Sequence, residues 1–176
     1  MKMEDKIQAI SGKLFHEDNT KVYAVLDGAS VPGLLAKLSE HKPEHLCLYI
    51  GEIEPDLAAA APYLVCIDRN SKFTDWVLGQ GWGKHWGIFA VSNSDLRALH
   101  KHFRKFLMVH TYEGKPLYFR YYDPRVLRVY LPTCNEDEIE TVFGPVEQYL
   151  LEDEDANTAL RFSTIANVLK QEKLPL

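Results

Sequence analysis

Residues 117–134 read LYFRYYDPRVLRVYLPTC. Leu117, Phe119 and Tyr121 alternate with Tyr118, Arg120 and Tyr122, the period-2 pattern of a half-buried strand. Asp123 stands where an N-cap belongs, because its carboxylate can accept from the free N–H groups of a first helical turn. Pro124 follows at the first helical position, where its missing N–H costs nothing. Leu127 and Leu131 fall at i and i+4 on one face, and Pro132 ends the helix. Arg125 and Arg128, three apart, share a face close to Asp123.

Outward from this stretch, short apolar runs at 21–26, 46–50, 63–67 and 86–91 predict strands. Helices are expected between them at 31–40, 55–60 and 71–78. Ser94 is placed to cap a helix carrying Leu96, Leu99, Phe103, Phe106 and Leu107 at near-helical spacing. Residues 108–112 and 116–121 flank Glu113-Gly114-Lys115 and predict a hairpin. Downstream come an acidic helix at 136–143 and a strand at 146–151. Residues 159–169 read either as a strand followed by a helix or as one helix. The expected fold is α/β, a single mixed-sheet domain with flanking helices and a short α/β C-terminal extension. The expected organisation is an N-terminal segment at 1–20, the main domain at 21–151 and the extension at 152–176.

The chain has 176 residues, 46% of them hydrophobic, enough to bury one core. No run of eighteen apolar residues predicts a membrane span. The opening MKMEDKIQAISGKLFHED is charged throughout and lacks an apolar core, so it does not read as a signal peptide. Cys47, Cys66 and Cys134 are odd in number and lack C-x-x-C spacing, which reads as reduced thiols and a cytoplasmic location. Net charge is -5, unevenly spread: 97–128 hold eight Lys/Arg against two acids, and 135–155 hold nine acids without a Lys or Arg. That split favours self-complementary packing or a charged partner surface and argues against nucleic acid.

Candidate sites carry competing readings. Arg120, Arg125 and Arg128 beside Asp123 could clamp a carboxylate or phosphate bidentately. The plainer reading is an internal network that ties the helix to the sheet, with a partner surface second. Gly79, Gly81, Gly83 and Gly87 fit no phosphate-loop motif and precede a strand, so they read as a tight helix-to-strand turn. Trp86 begins an apolar strand and reads as core, whereas Trp82 reads equally as core or as a partner contact. The acidic run Glu152, Asp153, Glu154 and Asp155 reads as a solvated loop or a dock for a basic segment. No metal or cofactor is expected, because the histidines lack ligand spacing. There is no G-x-S-x-G elbow, and acids beside Cys134 would raise its thiol pKa. Asp27, Asp68 and Asp123 fall at predicted strand ends, where α/β enzymes place catalytic groups and where turns also use Asp.

The segment FRYYDPRVLRVYLPTC resembles the signature of the Tap/TEC effector-adaptor chaperones of bacterial type VI secretion. YAVLDGA at 23–29, LCLYIGE at 46–52, APYLVCID at 61–68, WGKHWGIFAVS at 82–92, LRALHKHFRKFLMV at 96–109 and FGPV at 143–146 extend the match in order. The resemblance implies a non-enzymatic, cytoplasmic adaptor that binds a secreted effector toxin and helps load it onto the VgrG spike. It also implies a structural role for the motif residues Arg120, Asp123, Pro124, Trp86 and Gly87. Partner-facing roles are expected for Trp82, Arg125, Arg128, Glu152, Asp153, Glu154 and Asp155. Members of that family often carry a longer C-terminal lobe that engages the effector, and here the extension is short. The alternative is a small-molecule or nucleotide-binding enzyme using the strand-end aspartates and the arginine cluster.

Overall fold

The computed structural model describes residues 3–16 and 20–176. Of the expected N-terminal segment at 1–20, residues 1, 2 and 17–19 therefore lie outside the described residues. Much of the rest of that segment is helix α1, Met3–Leu14, with Glu4 and Asp5 in its first turn and Lys13 in its last, matching the helix dipole. Its Ile10 and Leu14 are fully buried.

The chain then runs β1 (Lys21–Asp27), α2 (Leu34–His41), β2 (His45–Cys47), α3 (Pro55–Ala60), β3 (Pro62–Ile67), α4 (Lys72–Trp76), β4 (Gly87–Ser92) and α5 (Leu96–Arg104). The hairpin β5 (Met108–His110) and β6 (Pro116–Tyr118) follows, then α6 (Pro124–Tyr130), α7 (Glu136–Phe143), β7 (Gln148–Glu152), β8 (Thr158–Ile165) and β9 (Val168–Pro175). Seven strands form one sheet in the order β2-β3-β1-β4-β7-β8-β9, and β5 and β6 form a separate ribbon.

The α/β domain with flanking helices is what the chain adopts. Every strand pairing in the sheet is antiparallel, however. The helical connections explain why alternation of strands and helices suggested otherwise. The connection through α2 carries the chain past β3's place to β2, and the one through α4 carries it past β1 to β4. Strands that run in the same direction are thus separated by one running the other way.

Helices cover both faces, giving three layers. On one face α1, α2, α4 and a π-helical turn at Val77–Gly81 pack Ile10, Leu14, Leu34, Leu38, Phe73 and Val77 against Val22, Ala24, Leu26 and Val65. On the other, α5, α6 and α7 pack Leu99, Phe103, Leu127, Ile139 and Phe143 against Tyr23, Val25, Leu64 and Tyr149. Strand β1, between β3 and β4, alternates its side chains between the two cores. Gly87 lets β4 approach it, since a Cβ there would lie 2.1 Å from the Val25 carbonyl oxygen.

Three local expectations are corrected. The strand expected at 116–121 stops at Tyr118, and a turn at 120–123, closed by Asp123 N–H to the Arg120 carbonyl (3.0 Å), buries both Tyr121 and Tyr122. The α5 cap is Asp95, which accepts from the Ala98 N–H at 2.8 Å; Ser94 instead donates its N–H to Ser92 Oγ. The residues after 158 contain no helix. They form the hairpin β8–β9, turned by Ala166 and Asn167 at φ 49° and 61°, and they extend the main sheet.

Candidate functional site

One end of the sheet gathers most of the residues the sequence singled out. Asp27 ends β1 opposite Pro62 of β3, and Gly87 opens β4 beside Leu26. Glu152 ends β7 opposite Ala159. The Asp27 carboxylate, 1% exposed, accepts from the Ala29 N–H (3.1 Å), from Ser30 Oγ (2.7 Å) and from Arg120 Nη2. Arg120 thus reaches across to β1 instead of pairing with Asp123. Its guanidinium lies 6.0 Å from the Tyr122 ring centre. Burial pushes the Tyr122 hydroxyl well above its ordinary value, and it raises Tyr49 beside it as well.

Asp123 caps α6 through the Arg125 N–H (2.9 Å) and also grips the Arg125 guanidinium with both oxygens, at 3.0 and 2.7 Å. Burial would raise this carboxyl, but the Arg125 hydrogen bonds outweigh it and hold it below the ordinary value. Arg125 is half exposed. Among the described residues the buried Nη1 of Arg128 has no hydrogen-bond partner, and its charge lies near Asp153. The basic stretch and the acidic stretch of the sequence therefore meet at this sheet end.

Trp82 and Glu152, both expected to face a partner, lie inside the fold. Trp82 is 8% exposed and donates Nε1–H to the Ala156 carbonyl at 3.0 Å. Glu152 is 4% exposed and accepts from the N–H groups of Gly83 and His85, fastening the turn before β4 to the end of β7. Gly83 and His85 hold φ of 85° and 60° there. Trp86 is buried, and its ring covers Gly81, where a Cβ would come within 2.5 Å of it. Asp153 pairs with Lys173 at 2.8 Å. Glu154 is exposed, and Asp155 closes the turn to β8 by accepting from the Asn157 N–H (3.0 Å).

Beside this charged rim lies an apolar groove of about 400 Å³ that no local sequence motif marks. Ile50, Ile53 and Leu57, from the segment after β2 and from α3, form one wall, and Leu107, Met108 and Tyr118 form the other. Ile50 is 71% exposed and Tyr118 73%. Arg104 and Glu52 add charge at the groove's edge. Val109 and Leu117, a register pair on the hairpin, are exposed too, so the ribbon shows large apolar side chains on both sides. The Tyr49 and Tyr118 rings, 6.3 Å apart, link the groove to Tyr122 and the Arg120 rim. The sequence signal was present: a two-stranded ribbon cannot bury both its sides, yet MVH and PLY carry apolar residues on each.

Neither Cys66 nor Cys134 is an activated thiol. Burial raises the Cys66 thiol, and it also raises Cys134, with Glu138 adding to it. Among the described residues no three His, Cys, Asp or Glu side chains gather as metal ligands, and no helix is long and apolar enough to cross a membrane. The family described as a domain of unknown function, DUF4123, matches residues 22–141, more than half of the chain. The chain belongs to the DUF4123 family. No curated protein and no solved structure matches it. The match to the DUF4123 domain spans β1 to α7 and so includes the Asp27–Arg120 pair, the groove and the α6 cap.

Proposed function

We propose that this DUF4123 protein is a non-enzymatic cytoplasmic adaptor that binds a type VI secretion effector and helps load it onto the VgrG spike. The observation that carries this reading is the exposed groove between the β5–β6 hairpin and residues 50–57. Large apolar side chains left in water cost free energy unless a partner covers them, and contiguous patches of this kind mark protein-binding surfaces. The effector segment suited to it is apolar, with charge at its edges to meet Arg104 and Glu52. Arg125, Arg128, Asp153, Glu154 and Asp155 then form a secondary charged rim. The enzyme alternative has less support, because the carboxylates of Asp27, at the end of β1, and Asp123, at the cap of α6, are already committed to arginines and backbone amides.

Affinity purification of the tagged protein under secretion-active conditions, with mass spectrometry of what accompanies it, tests the proposal. A large toxin-like protein, with or without VgrG, is the expected companion. Met108→Ser with Tyr118→Thr should lose it while thermal stability stays near wild type, since both side chains are exposed and this cross-strand pair gains no opposed like charges. Undiminished capture by that variant would remove the groove from the mechanism, and no companion at all would count against the adaptor.

A further inference from the structure

Strand β9 ends the sheet, and among the described residues no strand pairs with its outer side. Its two-residue turn fixes which backbone groups remain open. In such a hairpin the flanking pair, here Ile165 and Val168, exchanges both main-chain hydrogen bonds, and every second pair after it does the same. Val168, Lys170, Glu172 and Leu174 therefore bond inward to β8. Leu169, Gln171 and Lys173 aim their N–H and C=O groups away from the sheet.

We propose that this edge pairs with β9 of a second copy, antiparallel about a two-fold axis at Gln171. That register sets Gln171 opposite itself and Leu169 opposite Lys173 of the other copy, so the open N–H and C=O groups of these three residues all find partners. On the other sheet face it sets Lys170 opposite Glu172 and Val168 opposite Leu174, each twice. The charges suit it. Within its own sheet Lys170 faces Ser163 and among the described residues has no ion pair, while Glu172 lies 3.6 Å from Arg161. Pairing would continue this row as Arg161, Glu172, then Lys170 of the second copy.

The neighbouring registers fit less well. An axis at Lys173 places that lysine against itself and Gln171 against Pro175, which has no N–H. An axis at Leu169 runs off the strand after Val168. Lysines on an edge strand ordinarily discourage pairing. Here Lys173 is drawn to Asp153 at 2.8 Å, and Lys170 gains an acid. The surface lies apart from the groove and does not depend on the adaptor reading.

Light scattering on the full chain from low to high micromolar concentration tests this. The mass should rise from 20.2 kDa toward twice that value. Gln171→Pro removes an outward N–H and no bond of the β8–β9 ladder, so it should give a folded monomer by circular dichroism. Lys170→Glu and Glu172→Lys each set like charges in opposition and should be monomeric alone, whereas an equimolar mixture of the two should dimerise. A wild-type mass that stays at 20.2 kDa overturns the proposal, as does a dimer insensitive to all three substitutions. A monomer that captures a foreign polypeptide and loses it on Gln171→Pro would also overturn it, in favour of an added strand from a different partner.

Discussion

Asp123 does two jobs with one carboxylate, capping α6 and holding the Arg125 fork. Asp123→Ala should remove both and cost about 2 kcal/mol, lowering Tm by roughly 4–8 °C in thermal unfolding. His102 gives a pH prediction. It is 4% exposed, its Nε2 lies 3.0 Å from the Val142 carbonyl, and burial lowers its pKa from the ordinary 6.5. The folded state thus holds the neutral ring while the unfolded chain binds a proton below about pH 6.5. This contribution is complete above that pH and is lost as pH falls toward the depressed folded value. Denaturant titrations should show that loss, and His102→Gln, which keeps an N–H donor, should flatten it. The Asp123–Pro124 start was legible because cap and helix are adjacent in sequence. Arg120's partner was not, because Asp27 lies 93 positions away and nothing local marks the pairing.

Elements with strong local signals are legible: α7 runs from Glu136 to Phe143, the span its acidic residues predict, and an Asn135–Glu138 capping box opens it. The β8–β9 hairpin was missed because Ala166-Asn167 lacks the glycine that usually marks a turn with two positive φ values. The groove was missed for a different reason. It is assembled from two elements about fifty residues apart, each of which reads alone as an ordinary loop or ribbon. The first residue of β4 yields a prediction. Gly87→Ala would drive a Cβ into the Val25 carbonyl at the centre of the sheet, where backbone cannot yield cheaply. A loss of about 3 kcal/mol in chemical denaturation is expected, more than for Gly114→Ala at the exposed hairpin tip.

At the scale of the molecule, the family match and the sheet do not end together. The match stops at residue 141, while β7, β8 and β9 fill the rest of the seven-stranded sheet. Leu150, Leu151, Leu160 and Phe162 from these strands are buried in the two cores. A fragment cut at 141 should therefore fail to give a cooperative unfolding transition. A cut after Asp155 should strip β8 from β7 and lower solubility. The charge split was legible in the sequence as either self-complementary packing or a charged partner surface, and in the structure Arg125 approaches Glu152 and Arg128 approaches Asp153.

The central position of β7 also bears on how the protein is made. Strand β4 is synthesised more than fifty residues before β7, its neighbour. Until the ribosome delivers β7, the nascent half-sheet β2-β3-β1-β4 presents an unpaired, apolar margin to the cell, the kind of surface that draws misassembly. Translation speed through 93–147 sets how long that margin stays open. Slowing elongation there with rare codons should raise the aggregated fraction while leaving the mature protein's stability unchanged.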